Sequence, residues 1–264
     1  MAAPVVATDY ELLVSPEELR EKGGVIVEFD DEAHARPALA GDAAAIERAW
    51  AAKLETHPKT YDAFKFRLAA VLKQDAITLH IGMTGYKEYV GTQANAELRA
   101  AGAAHGDPAK YLSNCLGCEC VLTTADRKIV LLRRLAEVAY ASGLYNGPSG
   151  HAEPKFVFNK NFRKEVLRDG ILREIVEEVG IPEPELSEPR LIGVMRAADL
   201  QPDCLFAVET TQTAQQIRAG YCRGAVDAWE SDRLAFVDAG DRGLALTPVT
   251  EAALACWARD RALN

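Results

Sequence analysis

Three carboxylates in this chain stand at a spacing that brings them together. Residues 173–181 read Arg-Glu-Ile-Val-Glu-Glu-Val-Gly-Ile. Glu174, Glu177 and Glu178 are offset by i, i+3 and i+4, so on a helix their side chains share one face. Like charges at that spacing repel. A hard divalent cation, which prefers carboxylate oxygens and binds substrate phosphates, would neutralise them. The chemistry implied is metal-assisted attack on a phosphate ester. A plain solvated acidic face is the alternative for any Glu-rich helix.

The surrounding residues must position those acids. Ile171, Ile175 and Val179 recur every four residues and predict a buried stripe opposite them. Gly180 stands where a helix would end, and Pro182 follows it. Gly170 lies inside the helix, where glycine is unfavourable by about 1 kcal/mol relative to alanine, and predicts a close approach by another backbone. Glu165 lies eight residues before Arg173, and upstream runs the tight loop Gly147-Pro-Ser-Gly-His-Ala-Glu-Pro154.

Together these residues resemble the Nudix box, Gly-x5-Glu-x7-Arg-Glu-U-x-Glu-Glu-x-Gly-U, with U a bulky aliphatic residue. Glu165 through Ile181 matches at every defined position. The glycine due at position 159 is Asn159, and the Gly-His-x-Glu-Pro loop that carries it stands nine residues earlier, at Gly150–Pro154. A nine-residue insertion within Lys155–Lys164 accounts for the shift. By resemblance, Glu174 and Glu178 are the main ligands of Mg²⁺, with Mn²⁺ as a substitute. Glu177 is a third ligand or holds and deprotonates the attacking water, and the Gly150 carbonyl joins the metal. Arg173 would pair with Glu165 or Glu177 and orient the acids, while Glu165 and Gly180 are structural in the box.

The likeness extends over about Asp31 to Asp238. Asp62–Leu68, Gly82–Thr92 and Leu131–Pro154 are similar to the Nudix UDP-glucose pyrophosphatases. That resemblance implies Mg²⁺-dependent hydrolysis of UDP-glucose or UDP-galactose to UMP and sugar 1-phosphate. Two readings compete: hydrolysis of another nucleoside diphosphate such as ADP-ribose or a dinucleoside polyphosphate, and a non-catalytic nucleotide sensor. The intact acidic set speaks against the sensor. Tyr86, Tyr89 and Thr92 are candidate base contacts, each equally readable as core. Arg133 and Arg134 end a strand before the glycine loop and suit phosphate binding, although alternation lets at most one face the site. His151 is a candidate phosphate contact or a loop cap. The insertion, with Lys155, Lys160, Arg163, Lys164, Phe156, Phe158 and Phe162, reads either as a lid over the substrate or as a surface loop with aromatics tucked beneath.

The whole chain has 264 residues, 48% of them hydrophobic and 26% charged, as in a soluble globular protein. Its formal charge of -9 argues against nucleic acid as a general partner. No long apolar run predicts a membrane span, and residues 1–13 read as neither a secretory signal nor a transit peptide, so a cytoplasmic enzyme of a small nucleotide-sugar substrate is expected. Oligomeric state is not legible. Cys115, Cys118 and Cys120 form a C-x2-C-x-C cluster that reads as a buried strand rather than a zinc site, because no second pair completes it.

Two parts are expected: an N-terminal α+β module over residues 1–112 and a Nudix domain over 113–264. The first holds strands at 25–29, 66–73 and 76–81, a helix from Asp42, and a loop at Gly91 running into a short helix. The second holds a hairpin at 118–133, the acidic helix, strands at 191–196, 204–209 and 234–237, and a C-terminal helix behind Pro248. The pattern fits an α/β/α sandwich on a mixed sheet.

Overall fold

The computed structural model describes residues 10–134, 143–221, 231–241 and 243–263. Positions 1–9 of the N-terminal segment and Cys222 therefore lie outside the described residues.

In chain order the elements are β1 (Tyr10–Val14), α1 (Pro16–Lys22), β2 (Val25–Phe29), α2 (Asp42–Thr56), β3 (Phe64–Lys73), β4 (Ile77–Gly85), α3 (Tyr86–Thr92), α4 (Ala96–Ala104), β5 (Gly117–Thr123) and β6 (Ile129–Arg134). There follow β7 (Tyr145–Asn146), β8 (Ser149–His151), α5 (Phe162–Lys164), a π-helical turn (Glu165–Asp169), α6 (Gly170–Val179), β9 (Arg190–Ala197), β10 (Pro202–Glu209), α7 (Ala214–Tyr221), β11 (Ser231–Val237) and α8 (Pro248–Leu263).

The larger sheet runs β1-β9-β10-β5-β6-β11, with β7 on β6 and β8 on β5. It is mixed: β10 and β5 are parallel, while β1–β9, β10–β9, β5–β6 and β11–β6 are antiparallel. Strand alternation sorts its two faces. Cys118, Cys120, Leu122, Val130 and Leu132 pack with Ile171, Leu172, Ile175 and Val179 of α6. Val121, Ile129, Leu131 and Leu205 pack with Ala252, Ala253, Cys256 and Trp257 of α8. The α/β/α sandwich follows from that alternation. Cys118 and Cys120 are core side chains on β5, as the strand reading has it.

A second sheet, β2-β4-β3, has β2 parallel and β3 antiparallel to β4. Its inner face contributes Val25, Phe66, Leu68, Ile77, Leu79 and Ile81 to the same core as α6. The N-terminal strand β1 belongs to the larger sheet, where Tyr10 pairs Ala197. It is followed by α1, closed by a reciprocal cap between Ser15 and Glu18. Neither element was evident in the sequence.

One expectation is corrected, and one open alternative is narrowed. The stretch expected to enter as a loop at Gly91 is already helical from Tyr86, and α3 begins directly where β4 ends at Gly85. Of the two readings left open for the insertion, the packing of its aromatics matches the surface loop with aromatics tucked beneath. Phe162 stacks on Phe29 with centroids 3.8 Å apart and meets Phe66 edge-on, while Phe156 lies under the Arg173 guanidinium at 4.0 Å. Lys155 pairs with Glu153, and Lys164 with Asp169. Its aromatics join the small sheet to the acidic helix because burying rings outweighs leaving them in water; only Phe158 projects, at 76% exposure.

Candidate active site

The acids sit on one side of α6. Gly180 ends the helix in the left-handed region (φ 79°), where its amide donates to the Val176 carbonyl. The close approach expected at Gly170 is found: a Cβ there would meet Ala152 at 3.0 Å. The helix can therefore lie hard against the loop that carries Gly150.

That loop grips the acids with its backbone. Three amides two residues apart reach three carboxylates. Ser149 N donates to Glu178 Oε2 at 2.9 Å, His151 N to Glu174 Oε1 at 3.1 Å, and Glu153 N to Glu165 Oε1 at 3.1 Å. An extended strand turns every second amide to the same side, so β8 and its continuation read the helix like a ruler. A Cβ on Gly150 would overlap the Glu174 carboxylate, so any larger residue there must displace that side chain. Arg173 pairs with Glu165 at 2.7 Å, the first of its two expected partners. Glu165 is 2% exposed, and its Oε2 has no hydrogen-bond partner among the described residues.

Beside the loop lies a cavity of about 610 Å³, lined by Tyr86 and Tyr89 from α3, by Arg134, by Ser149, Gly150 and His151, and by Asn146, Glu119, Gln201, Asp203 and Thr247. The tyrosine rings stand 5.9 Å apart, 20° from parallel, and the Tyr89 hydroxyl donates to Gln201 Oε1 at 2.7 Å. Of the two arginines, Arg134 lines the cavity; Arg133, its neighbour on the strand, does not. Thr92 does not reach it either. This residue is fully buried, its hydroxyl donating to the Glu88 carbonyl and accepting from Ser113 N, because it falls on the inner side of α3. Burial, and then Lys65, push the His151 imidazole down to about 3, so it is neutral at ordinary pH.

The chain is 34% identical over 227 residues to the uridine diphosphate glucose pyrophosphatase NUDT22 of Mus musculus, spanning 78% of this chain and 74% of that one. It is 34% identical over 228 residues to the Homo sapiens protein of the same name (78% and 75%). Against Nudix hydrolase 9 of Arabidopsis thaliana the identity is 28% over 218 residues (72% and 70%). The chain belongs to the Nudix hydrolase family. No family model matches it. The crystal structure of a MutT protein from Methanosarcina mazei Go1 superimposes on 56% of this Nudix hydrolase and 94% of its own chain, at TM-score 0.40 and 18% identity.

Members of the family use divalent metals, and the acids of this Nudix hydrolase suit one. Burial, reinforced by Glu177, raises the Glu174 carboxyl to about 7 despite the His151 amide. A half-buried carboxylate held near a like charge is unfavourable until a cation neutralises both. The candidate donors are carboxylate oxygens and the Gly150 carbonyl, an all-oxygen set that hard cations prefer. Glu174, Glu177 and Glu178 remain the candidates for such an ion, which would supply charge to the phosphoryl oxygens of a substrate; their ligand atoms are not drawn together within 4.8 Å of one another in this structure.

Sequence reasoning missed the cavity's own acids. Glu119 is 3% exposed; it accepts from Gly147 N at 3.1 Å and from the Thr250 hydroxyl at 2.5 Å. Burial raises its carboxyl to about 7. Asp203 is 7% exposed, and burial, with Glu119 and Asp199 nearby, holds its carboxyl well above the usual range. A single acid inside the apolar run Cys118–Leu122 was the available signal for Glu119.

Proposed function

We propose that this Nudix hydrolase splits UDP-sugars, UDP-glucose and UDP-galactose, to UMP and the sugar 1-phosphate, with Mg²⁺ as its usual cation and Mn²⁺ as a substitute. The observation that carries the reading is the continuity of the Gly150 loop: its amides hold Glu174 and Glu178, and the same residues wall a cavity large enough for a nucleotide. The substrate named by the 34%-identical relatives supports the choice of uridine and sugar.

Water attacks one phosphorus of the diphosphate, the bond from that phosphorus to the bridging oxygen breaks, and the oxygen leaves with the other phosphoryl group. Glu177 holds the water and accepts its proton. Glu174 and Glu178 would hold the cation, which would supply positive charge to the oxygens of the reacting phosphate. Arg173 does not touch substrate in this reading; held by Glu165 and stacked on Phe156, it positions the first turn of the acid cluster. Arg134 faces the anionic chain, neutral His151 donates or accepts a hydrogen bond without adding charge, and Tyr86 and Tyr89 form the platform for the base.

A panel of UDP-glucose, UDP-galactose, ADP-ribose and a dinucleoside polyphosphate, assayed with Mg²⁺ for nucleoside monophosphate release, tests this. UMP from the UDP-sugars at the highest kcat/KM supports the reading. Cleavage of ADP-ribose without UMP release from UDP-glucose overturns it, and tight nucleotide binding with no turnover marks a sensor instead.

A further inference from the structure

Away from the acidic helix, three ligand-type side chains converge on the outer face of the small sheet. Glu28 of β2 and His80 of β4 are direct register partners, and alternation turns both away from the core that takes Phe29 and Ile81. His34 reaches the same spot from the loop after β2. One ligand atom from each of Glu28, His34 and His80 lies within 4.8 Å of the others. His34 Nε2 is 3.7 Å from Glu28 Oε1, and His80 Nε2 is 3.7 Å from Glu28 Oε2. The two imidazoles stack at 4.4 Å between centroids.

As protein groups alone these contacts are poor. At 3.7 Å neither imidazole is within hydrogen-bond distance of the carboxylate. His34 is 8% exposed, and its Nε2 is buried with no hydrogen-bond partner among the described residues. Leaving such an atom unsatisfied is costly. The backbone that carries the ring is held in place. His34 N donates to the Asp30 carbonyl at 3.0 Å, the Arg67 guanidinium donates to the His34 carbonyl at 3.3 Å, and Gly82 has no room for a Cβ against that carbonyl. A buried, unpartnered nitrogen beside a second imidazole and a carboxylate is a cation-binding arrangement.

We propose that Glu28, His34 and His80 form a second metal site, for a Zn²⁺-class cation, distinct from the carboxylate site on α6. Two imidazoles and one carboxylate favour a borderline cation such as Zn²⁺ over Mg²⁺, which takes oxygen ligands almost exclusively. Ligand atoms around a tetrahedral Zn²⁺ stand about 3.4 Å apart, given bonds near 2.1 Å. Each imidazole nitrogen stands 3.7 Å from a different oxygen of Glu28, so binding requires the exposed Glu28 side chain to turn and the ligand atoms to draw inward. Three protein ligands leave a fourth position for water. It would pin the 30–36 loop to the sheet. Arg36 at the end of that loop bonds Glu88 on α3 at 2.6 Å, beside the cavity tyrosine Tyr89.

The test is Zn²⁺ titration of metal-stripped full-length protein by competition with a chromophoric chelator, in millimolar Mg²⁺ to occupy the acidic helix. Wild type and Glu178→Gln should each bind one equivalent, and His80→Ala and Glu28→Gln should bind it at least tenfold more weakly while keeping the native circular dichroism. Histidine ring NMR signals should shift for two residues in wild type on adding Zn²⁺. Should His34→Ala fail to fold, the His80 and Glu28 variants still decide. Absence of Zn²⁺ binding in Mg²⁺, or equal affinity in wild type and His80→Ala, overturns the proposal.

Discussion

The Glu174 carboxylate fills the space where Gly150 would carry a side chain, and His151 N donates into it at 3.1 Å. The loop and the helix are thus fitted to each other at one atom's resolution. Gly150→Ala must push Glu174 aside or lift the loop. We expect the variant to fold and its kcat to fall by about 10²-fold, the scale for a misplacement of an ångström or so. Steady-state kinetics with UDP-glucose at saturating Mg²⁺ measures it, and unchanged kcat would show that Glu174 need not stand where it does.

Glu178→Gln keeps the shape and the acceptor for Ser149 N but removes a negative charge from the cation site. Turnover should drop by several orders of magnitude with the circular dichroism intact. Chelation of divalent metal should silence the wild type in the same way, with recovery on adding Mg²⁺ back. Normal activity in the variant would sink the assignment of the acids.

Arg173 faces a buried partner. Removing it leaves Glu165, 2% exposed, without its cation. Arg173→Ala should lose about 3 kcal/mol, as for other broken buried pairs. Adding Glu165→Gln should restore part of the loss, since the uncompensated charge is gone. Urea denaturation of the two singles and the double measures the coupling; strictly additive losses would mean the pair is not what holds the helix start.

Glu119 makes stability depend on pH. Its carboxyl is raised to about 7 in the folded protein by burial, above the value near 4.3 of an unfolded glutamate. The folded state therefore binds the proton more tightly, and stability is fully present below about pH 4 and lost as pH rises through 7. The loss by pH 8 is on the order of 3 kcal/mol. Glu119→Gln keeps the acceptor for Gly147 N and Thr250 and should remove this residue's share of the dependence, leaving that of Glu174 and Asp203, whose carboxyls are also raised. Chemical denaturation between pH 5 and 8.5 reads it directly.

Two insertion phenylalanines should behave oppositely. Phe162→Ala deletes the ring stacked on Phe29 and should cost about 2 kcal/mol. Phe158→Ala, at a 76% exposed position, should stay within about 0.5 kcal/mol and leave KM unchanged. A raised KM for Phe158→Ala would revive the insertion as a lid.

The sequence by itself determined the local objects. Four-residue periodicity and the glycine at its end specify α6 and its acid face, since helix geometry couples only residues three and four apart. Alternation specifies β5 and β6, and the Glu165–Ile181 half of the box, with its loop at Gly150–Pro154 set nine residues early, was legible as a pattern. What those elements touch was decided by tertiary structure. Tyr89 meets Gln201 across 112 residues, Glu119 meets Thr250 across 131, and His34 meets His80 through a loop of no periodic pattern. Thr92 turned inward and Arg134 outward for the same reason. A side chain's neighbours at long separation depend on how whole sheets and helices bury their apolar faces, and neither propensity nor period within a segment carries that information.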